Sequence, residues 1–154
     1  MVLILDSKNR TVPSFLIITN TCTRRVRKCG PESEAKIMRI LVVDDEEEIV
    51  ELLRRFLERK NHSVDVAFDG AEALKLIKED RYDIIFLDED MPPGLTGLEV
   101  VEHIKKNNIK SKTVILTGYP YIDEKFSKRI GADEFLKKPV ALNEIERIIK
   151  KYRA

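Results

Sequence analysis

Four places in this 154-residue chain put reactive side chains directly behind a short strand-like run. Asp44-Asp45 follow Ile40–Val43, and Asp88-Glu89-Asp90 follow Ile84–Leu87. Thr117-Gly118 follow Thr113–Leu116, and Lys137-Lys138-Pro139 follow Glu134–Leu136. A buried strand that ends on clustered acids needs positive charge to neutralise them. Carboxylates gathered at one point repel each other, which raises their pKa values or demands a cation. Oxygen donors with no His or Cys among them favour Mg2+ or Mn2+, held octahedrally with several waters retained. A metal, an ammonium and a hydroxyl around one carboxylate make a cradle for a phosphoryl group. In that cradle Asp88 is placed to attack phosphorus and become an acyl phosphate.

That chemistry requires residues far apart in sequence to meet, so the elements carrying them must be parallel and adjacent. Arg39–Val43 is nearly all apolar, as a strand buried on both faces should be. Glu46–Lys60 then turns to helical period, with Ile49, Val50, Leu52, Leu53, Phe56 and Leu57 expected inward and acids in its first turn. Val64–Phe68 predicts a second strand, and Asp69/Gly70 start a helix to about Lys78 with Ala73, Leu74 and Ile77 inward. Ile84–Leu87 predicts a third strand, and Gly97–Lys106 a helix burying Leu98, Val101 and Ile104. Lys112–Leu116, a short helix over Asp123–Ile130 stopped by Gly131, Glu134–Lys137 and a helix over Leu142–Tyr152 complete the alternation. Leu142, Ile145, Ile148 and Ile149 are the inward residues of that last helix. The pattern predicts an α/β fold with a doubly wound five-stranded parallel sheet in the order 2-1-3-4-5. Sites in such sheets form beyond the carboxyl ends of the strands, at the switch point between strands one and three. Asp44, Asp45 and Asp88 stand there.

Composition narrows the class. Apolar residues at 43% and charged residues at 36% describe a globular chain. The net charge of +1 gives no global field for nucleic acid or a membrane surface. The balance hides an asymmetry: residues 1–37 hold seven Lys/Arg against three acids, net +4, leaving −3 over the rest. Residues 1–37 lack sustained period and end in Cys29-Gly30-Pro31-Glu32-Ser33, a breaker cluster. They predict a basic, poorly ordered extension, or an artefact of start-site choice with Met38 as the true start, ahead of a domain over 38–154. No apolar run approaches the roughly 18 residues of a membrane span, and no secretory pattern is present, which points to a cytoplasmic protein. Cys22 and Cys29, with no nearby His, make a poor zinc site and read as free thiols. Arg24, Arg25, Arg27 and Lys28 could touch nucleic acid or lipid, but a solvated tail is the expectation.

The block from Met38 to Ala154 resembles the receiver domain of two-component response regulators, which has a flavodoxin-like fold. The motifs are ILVVDDEEEI (40–49), YDIIFLDEDMP (82–92), TVILTGY (113–119) and GADEFLKKPV (131–140). The resemblance implies that a sensor histidine kinase, or a histidine phosphotransfer domain, passes a phosphoryl group to Asp88. It implies Asp45 and Asp88 as direct Mg2+ ligands, Asp44 at the metal largely through water, and the backbone carbonyl of Asp90 as a further ligand. Lys138 would pair with Asp88 and then with the phosphoryl oxygens, Thr117 would hydrogen-bond the phosphate, and Phe135 would be the switch aromatic that turns inward as Thr117 moves. The Lys138-Pro139 bond would be cis. The kinase's helical bundle would dock beside Asp88, against Ile49 and near Pro139. A downstream protein target would read the state on a face with Phe126, Phe135 and Lys137. The implied protein is not an enzyme beyond its own aspartyl phosphorylation and dephosphorylation. With the last helix consuming Leu142–Ala154, the expectation is a stand-alone regulator of the chemotaxis or phosphorelay type.

Two features depart from the family pattern. Asp88 and Gly97 are nine positions apart, one more than usual, with Pro93 as the extra residue, so a longer loop is expected. The fourth helix is short and preceded by Tyr119-Pro120-Tyr121, where the family's output surface lies. Asp90 and Tyr119 flank the expected phosphate and should tune its loss. Two other readings compete: a receiver-like interaction module that is never phosphorylated, and a small aspartyl-phosphate phosphatase of the haloacid-dehalogenase type. The second would carry its further acidic pair downstream of the nucleophile, whereas Asp44-Asp45 lie upstream of Asp88.

Overall fold

The apolar runs form strands because each finds cover on both of its faces. The computed structural model of the protein describes residues 36–120 and 124–153, and two short strands, Ile4–Leu5 and Thr11–Val12, that pair antiparallel. By its contacts the chain divides into two units, Met1–Glu34 and Ala35–Ala154. Arg24, Arg25, Arg27, Lys28, both cysteines, Tyr121 and Asp123 lie outside the described residues, and so do the expectations attached to them.

In the second unit the elements are β1 (Arg39–Val43), α1 (Glu47–Glu58), β2 (Ser63–Ala67), α2 (Gly70–Glu79) and β3 (Ile84–Asp88). They continue with α3 (Gly97–Lys106), β4 (Lys112–Thr117), α4 (Glu124–Ile130), β5 (Glu134–Lys137) and α5 (Leu142–Arg153). The five strands form one parallel sheet in the order β2-β1-β3-β4-β5, as the alternation predicts.

Successive residues of each central strand serve opposite faces. Ile40, Val42, Ile84, Phe86, Val114 and Leu116 pack on one side with Val50, Leu53 and Leu57 of α1 and Ile145, Ile148 and Ile149 of α5. Leu41, Val43, Ile85, Leu87 and Ile115 pack on the other with Ala73 and Ile77 of α2 and Val100, Val101 and Ile104 of α3. Both faces being covered, the strands read as continuous apolar runs rather than alternating ones. Each such fully buried side chain contributes about 1.5–3 kcal/mol.

One detail of the inward faces differs from expectation. Leu52 is 55% exposed, because at roughly 100° per residue it falls on the far side of α1 from the Val50–Leu53–Leu57 stripe. In α3 Leu98 packs against the core as expected, half-buried, and Val100 joins Val101 and Ile104 as a fully buried residue. Leu74 of α2 and Leu142 of α5 are likewise half-buried and pack against the core. The strands also run further than the apolar pattern suggests. Backbone pairing carries β3 to Asp88, opposite Leu116, and β4 to Thr117, opposite Lys137. Asp88 and Thr117 therefore sit on the sheet itself.

Candidate functional site

The site grows out of three strand ends. Asp44, immediately after β1, is fully buried, and its backbone N–H donates to Ala67 O at 3.3 Å. Its Oδ1 accepts from the backbone N–H of Glu46 at 2.9 Å, a tight turn that leads into α1. Asp88 closes β3 and is 4% exposed. Lys138, just past β5, is held by its own backbone N–H donating to Thr117 O at 2.8 Å. Its ammonium lies 2.9 Å from Asp88 Oδ1 and 2.9 Å from Asp44 Oδ2, with Glu46 Oε1 further off at 3.8 Å. The Lys138–Pro139 peptide is cis, as is Pro92–Pro93.

One cation thus serves two buried carboxylates, and the electrostatics follow. Burial pushes Asp88 up to about 6; Lys138 draws it down while the neighbouring Asp44 raises it. Burial works against the Lys138 ammonium, yet its hydrogen bonds to Asp44 and Asp88 outweigh that and lift its pKa above the ordinary value. The residual negative charge invites a metal. Asp44, Asp45 and Asp88 each offer a carboxylate oxygen, and these atoms lie within 4.8 Å of one another. An all-oxygen set with one exposed member, Asp45, fits a hard divalent ion that keeps some of its waters.

Above Asp88 opens a cavity of about 450 Å3 lined by Asp45, Glu46, Asp88, Asp90, Pro92, Gly118, Tyr119 and Lys138. A Cβ built on Gly118 would meet nothing within 4 Å, so the approach to the acceptor is unobstructed there. Thr117 is buried, and its Oγ1 accepts from the backbone N–H of Tyr119 at 3.1 Å. Tyr119 Oη in turn donates to Asp90 Oδ2 at 2.5 Å. Phe135 lies on β5, half-buried against the α2/α3 side of the core.

The structure brings Asp44, Asp45, Asp88 and Lys138 together, with Asp90 on the cavity wall and Thr117 at the adjacent strand end. Phe135 stands apart, one strand over, opposite Ile115. Two acids escaped the sequence reading. Glu46, taken only as part of a helix start, lines the cavity and faces Lys138. Glu89 is 7% exposed and accepts from the backbone N–H of Leu98 at 3.0 Å. Burial pushes Glu89 up to about 7, with Asp88, Asp90 and Glu99 adding to the rise against the Leu98 hydrogen bond. A single signal could have found it: an acid next to a buried strand end, opposite a helix start eight positions on.

Comparison with known proteins agrees with this geometry. Residues 40–150 match the family model of the response regulator receiver domain. The response regulator MprA of Mycobacterium avium is 42% identical over 109 residues, covering 70% of this chain and 47% of that protein. The chain thus spans about half the length of the curated relatives it matches. Among solved structures, response regulator TrrA from Thermotoga maritima, in complex with Mg(2+)-BeF, is 39% identical with a TM-score of 0.68, covering 75% of this chain and 99% of that one. A CheY-like receiver domain from Methanospirillum hungatei is 28% identical with a TM-score of 0.71, covering 77% and 94%. With its strand order, its acidic cluster and this match over most of its length, the chain belongs to the response regulator receiver domain family.

Proposed function

We propose that Asp88 is the phosphoryl acceptor of this receiver domain. Receiver domains are signalling modules phosphorylated in two-component systems, not enzymes that turn over a substrate pool. One observation carries the assignment: a strand-end carboxylate, buried, with an ammonium at 2.9 Å and two further carboxylates close enough to share a metal. A carboxylate oxygen of Asp88 attacks phosphorus, the phosphorus–nitrogen bond of a donor phosphohistidine breaks, and the imidazole leaves with the electron pair. Lys138 moves from the carboxylate to the phosphoryl oxygens, where its charge offsets the charge that develops. Thr117, whose Oγ1 accepts from the Tyr119 amide, donates its hydroxyl proton to a phosphoryl oxygen. Phe135 on the adjacent strand follows that movement as the switch aromatic.

Asp44, Asp45, Asp88 and the backbone carbonyl of Asp90 would hold Mg2+, or Mn2+ in its place. A bound ion supplies charge neutralisation and a template for in-line transfer. The structure of a relative complexed with Mg(2+)-BeF supports this part of the reading. The donor is a sensor histidine kinase or a histidine phosphotransfer domain, docking by Ile49 and Pro139 near the cavity. The acquired state is read by a protein partner on the face bearing Phe126, Phe135 and Lys137. A cytoplasmic location belongs to the same proposal; among the described residues no helix is long and apolar enough to cross a membrane.

Incubation with acetyl phosphate and Mg2+, followed by intact-mass spectrometry, tests the proposal. One added phosphoryl group in wild type, absent with chelator and absent in Asp88→Asn, is the expected result. An unchanged mass in a chain that still binds Mg2+ would leave an interaction module instead.

A further inference from the structure

Glu89, the neighbour of the acceptor, has no assigned part in phosphoryl transfer, yet it makes an unusual set of contacts. Its backbone N–H donates to Leu116 O on β4 at 3.0 Å. Its backbone carbonyl accepts from Gly97 N–H at 3.3 Å, and its buried carboxylate accepts from Leu98 N–H at 3.0 Å. Gly97 and Leu98 are the first two residues of α3, whose opening N–H groups have no partner within the helix. Thr96 takes the next one, from Glu99, in a capping box. Two of the first three donors of α3 are therefore held by the main chain and side chain of one residue. The approach is close: a Cβ on Gly97 would stand 2.2 Å from Asp88 O, so α3 abuts the acceptor's own backbone.

The segment between these anchors is the one with the extra residue. Glu89 to Thr96 must span from β3 to α3, with Met91 buried in the core and Asp90 exposed to the cavity. Without the Glu89 clamp, the backbone next to Asp88 would be secured on the α3 side by the Gly97 contact alone. We propose that Glu89 is a positioning residue for the metal site, using the N-terminus of α3 to fix the main chain of Asp88–Asp90 and with it the Asp90 carbonyl. The inference rests on the assignment of Asp44, Asp45, Asp88 and Asp90 to Mg2+. Partners that orient metal ligands in this way typically govern affinity by about 10- to 100-fold.

The test compares Glu89→Gln, which keeps an acceptor for Leu98, with Glu89→Met, which keeps the volume and removes it. Calorimetric Mg2+ titration should show Glu89→Met binding about tenfold more weakly and Glu89→Gln within a factor of about three of wild type. The slower acetyl-phosphate reaction of Glu89→Met should be restored by excess Mg2+, a rescue that a merely structural lesion would not give. In wild type, Mg2+ should in turn slow hydrogen exchange at the Leu98 amide, since coupling between the clamp and the ion is reciprocal. This measurement stands even where Glu89→Met fails to fold. Equal Mg2+ affinity in Glu89→Met and wild type, or an unaltered Leu98 exchange rate, overturns the inference while leaving the acceptor assignment intact. Failure of wild type to bind Mg2+ overturns the metal site and the inference together.

Discussion

Tyr119 Oη and Asp90 Oδ2 are 2.5 Å apart, joining the end of β4 to the loop after β3 on the wall of the acceptor cavity. The bond holds an aromatic ring and a carboxylate in place beside the space a phosphoryl group on Asp88 would occupy. Tyr119→Phe removes the donor and releases the Asp90 carboxylate from it, giving water a wider path to phosphorus. The acyl phosphate should then decay about fivefold faster, the equivalent of roughly 1 kcal/mol. Decay followed by phosphorus NMR checks this, and an unchanged or longer lifetime would contradict it.

Lys138 is the only cation within 4.0 Å of the buried carboxylates of Asp44 and Asp88 among the described residues. Removing it leaves two charges in a desolvated pocket with backbone N–H groups but no cation to offset them. Lys138→Met should lower stability by about 3 kcal/mol without Mg2+. Asp88→Asn should change it in the opposite direction. Burial and Asp44 raise the pKa of Asp88 from its ordinary value to about 6, so the ionised form opposes folding. That cost grows as pH rises from about 4 through about 6 and is fully present at neutrality. Metal-free Asp88→Asn should therefore be more stable than wild type at pH 7.5 and close to it at pH 4. Urea denaturation of both variants across pH reads the two effects.

Gly97 and Gly118 make a matched pair. A Cβ at Gly97 collides with Asp88 O at 2.2 Å and Asp88 C at 3.0 Å, whereas one at Gly118 meets nothing within 4 Å. Gly97→Ala should force α3 away from β3 and cost about 1–3 kcal/mol. Gly118→Ala should leave stability nearly unchanged and slow transfer from a protein donor by narrowing the approach to Asp88. Thermal unfolding and a phosphotransfer time course separate the two.

At the opposite end of the sheet, His62 is nearly buried, and its Nδ1 accepts from the backbone N–H of Met38 at 3.3 Å. Burial, then the charge of Arg153, holds its pKa below the ordinary value against a smaller pull from Asp83. The neutral ring is the folded form, so its contribution is complete above about pH 6.5 and is lost as pH falls below that. Asp88 and Glu89 titrate in the contrary sense nearby in pH, so the comparison must be differential. Wild type minus His62→Gln should lose stability between pH 7.5 and 5.5; a flat difference would contradict the assignment.

Much of this was legible in the sequence because strand ends are marked by abrupt changes of residue type. Asp44, Asp88, Thr117 and Lys138 each follow an apolar run, and a parallel sheet places such positions together whatever lies between them. The fold was legible for the same reason, since Ile84–Leu87 is apolar at every position and its neighbours Ile40–Val43 and Val114–Leu116 are too. Leu52 departs from the apolar pattern because a helix face is set by what packs on it, and α1 buries a narrower stripe than its apolar residues would allow. The second contact of Lys138, to Asp44, and the clamp of Glu89 on α3 were not legible. Both depend on the path of loop backbone and on side-chain rotamers, which no periodicity encodes.

Acceptance of the phosphoryl group by residue 88 can be read chemically. Borohydride reduces an acyl phosphate to the alcohol, turning a phosphorylated aspartate into homoserine. After phosphorylation with Mg2+ present, reduction and peptide mapping should find homoserine at position 88 in wild type and nowhere in Asp88→Asn. Homoserine at any other aspartate, or at none, would rule out Asp88 as the acceptor.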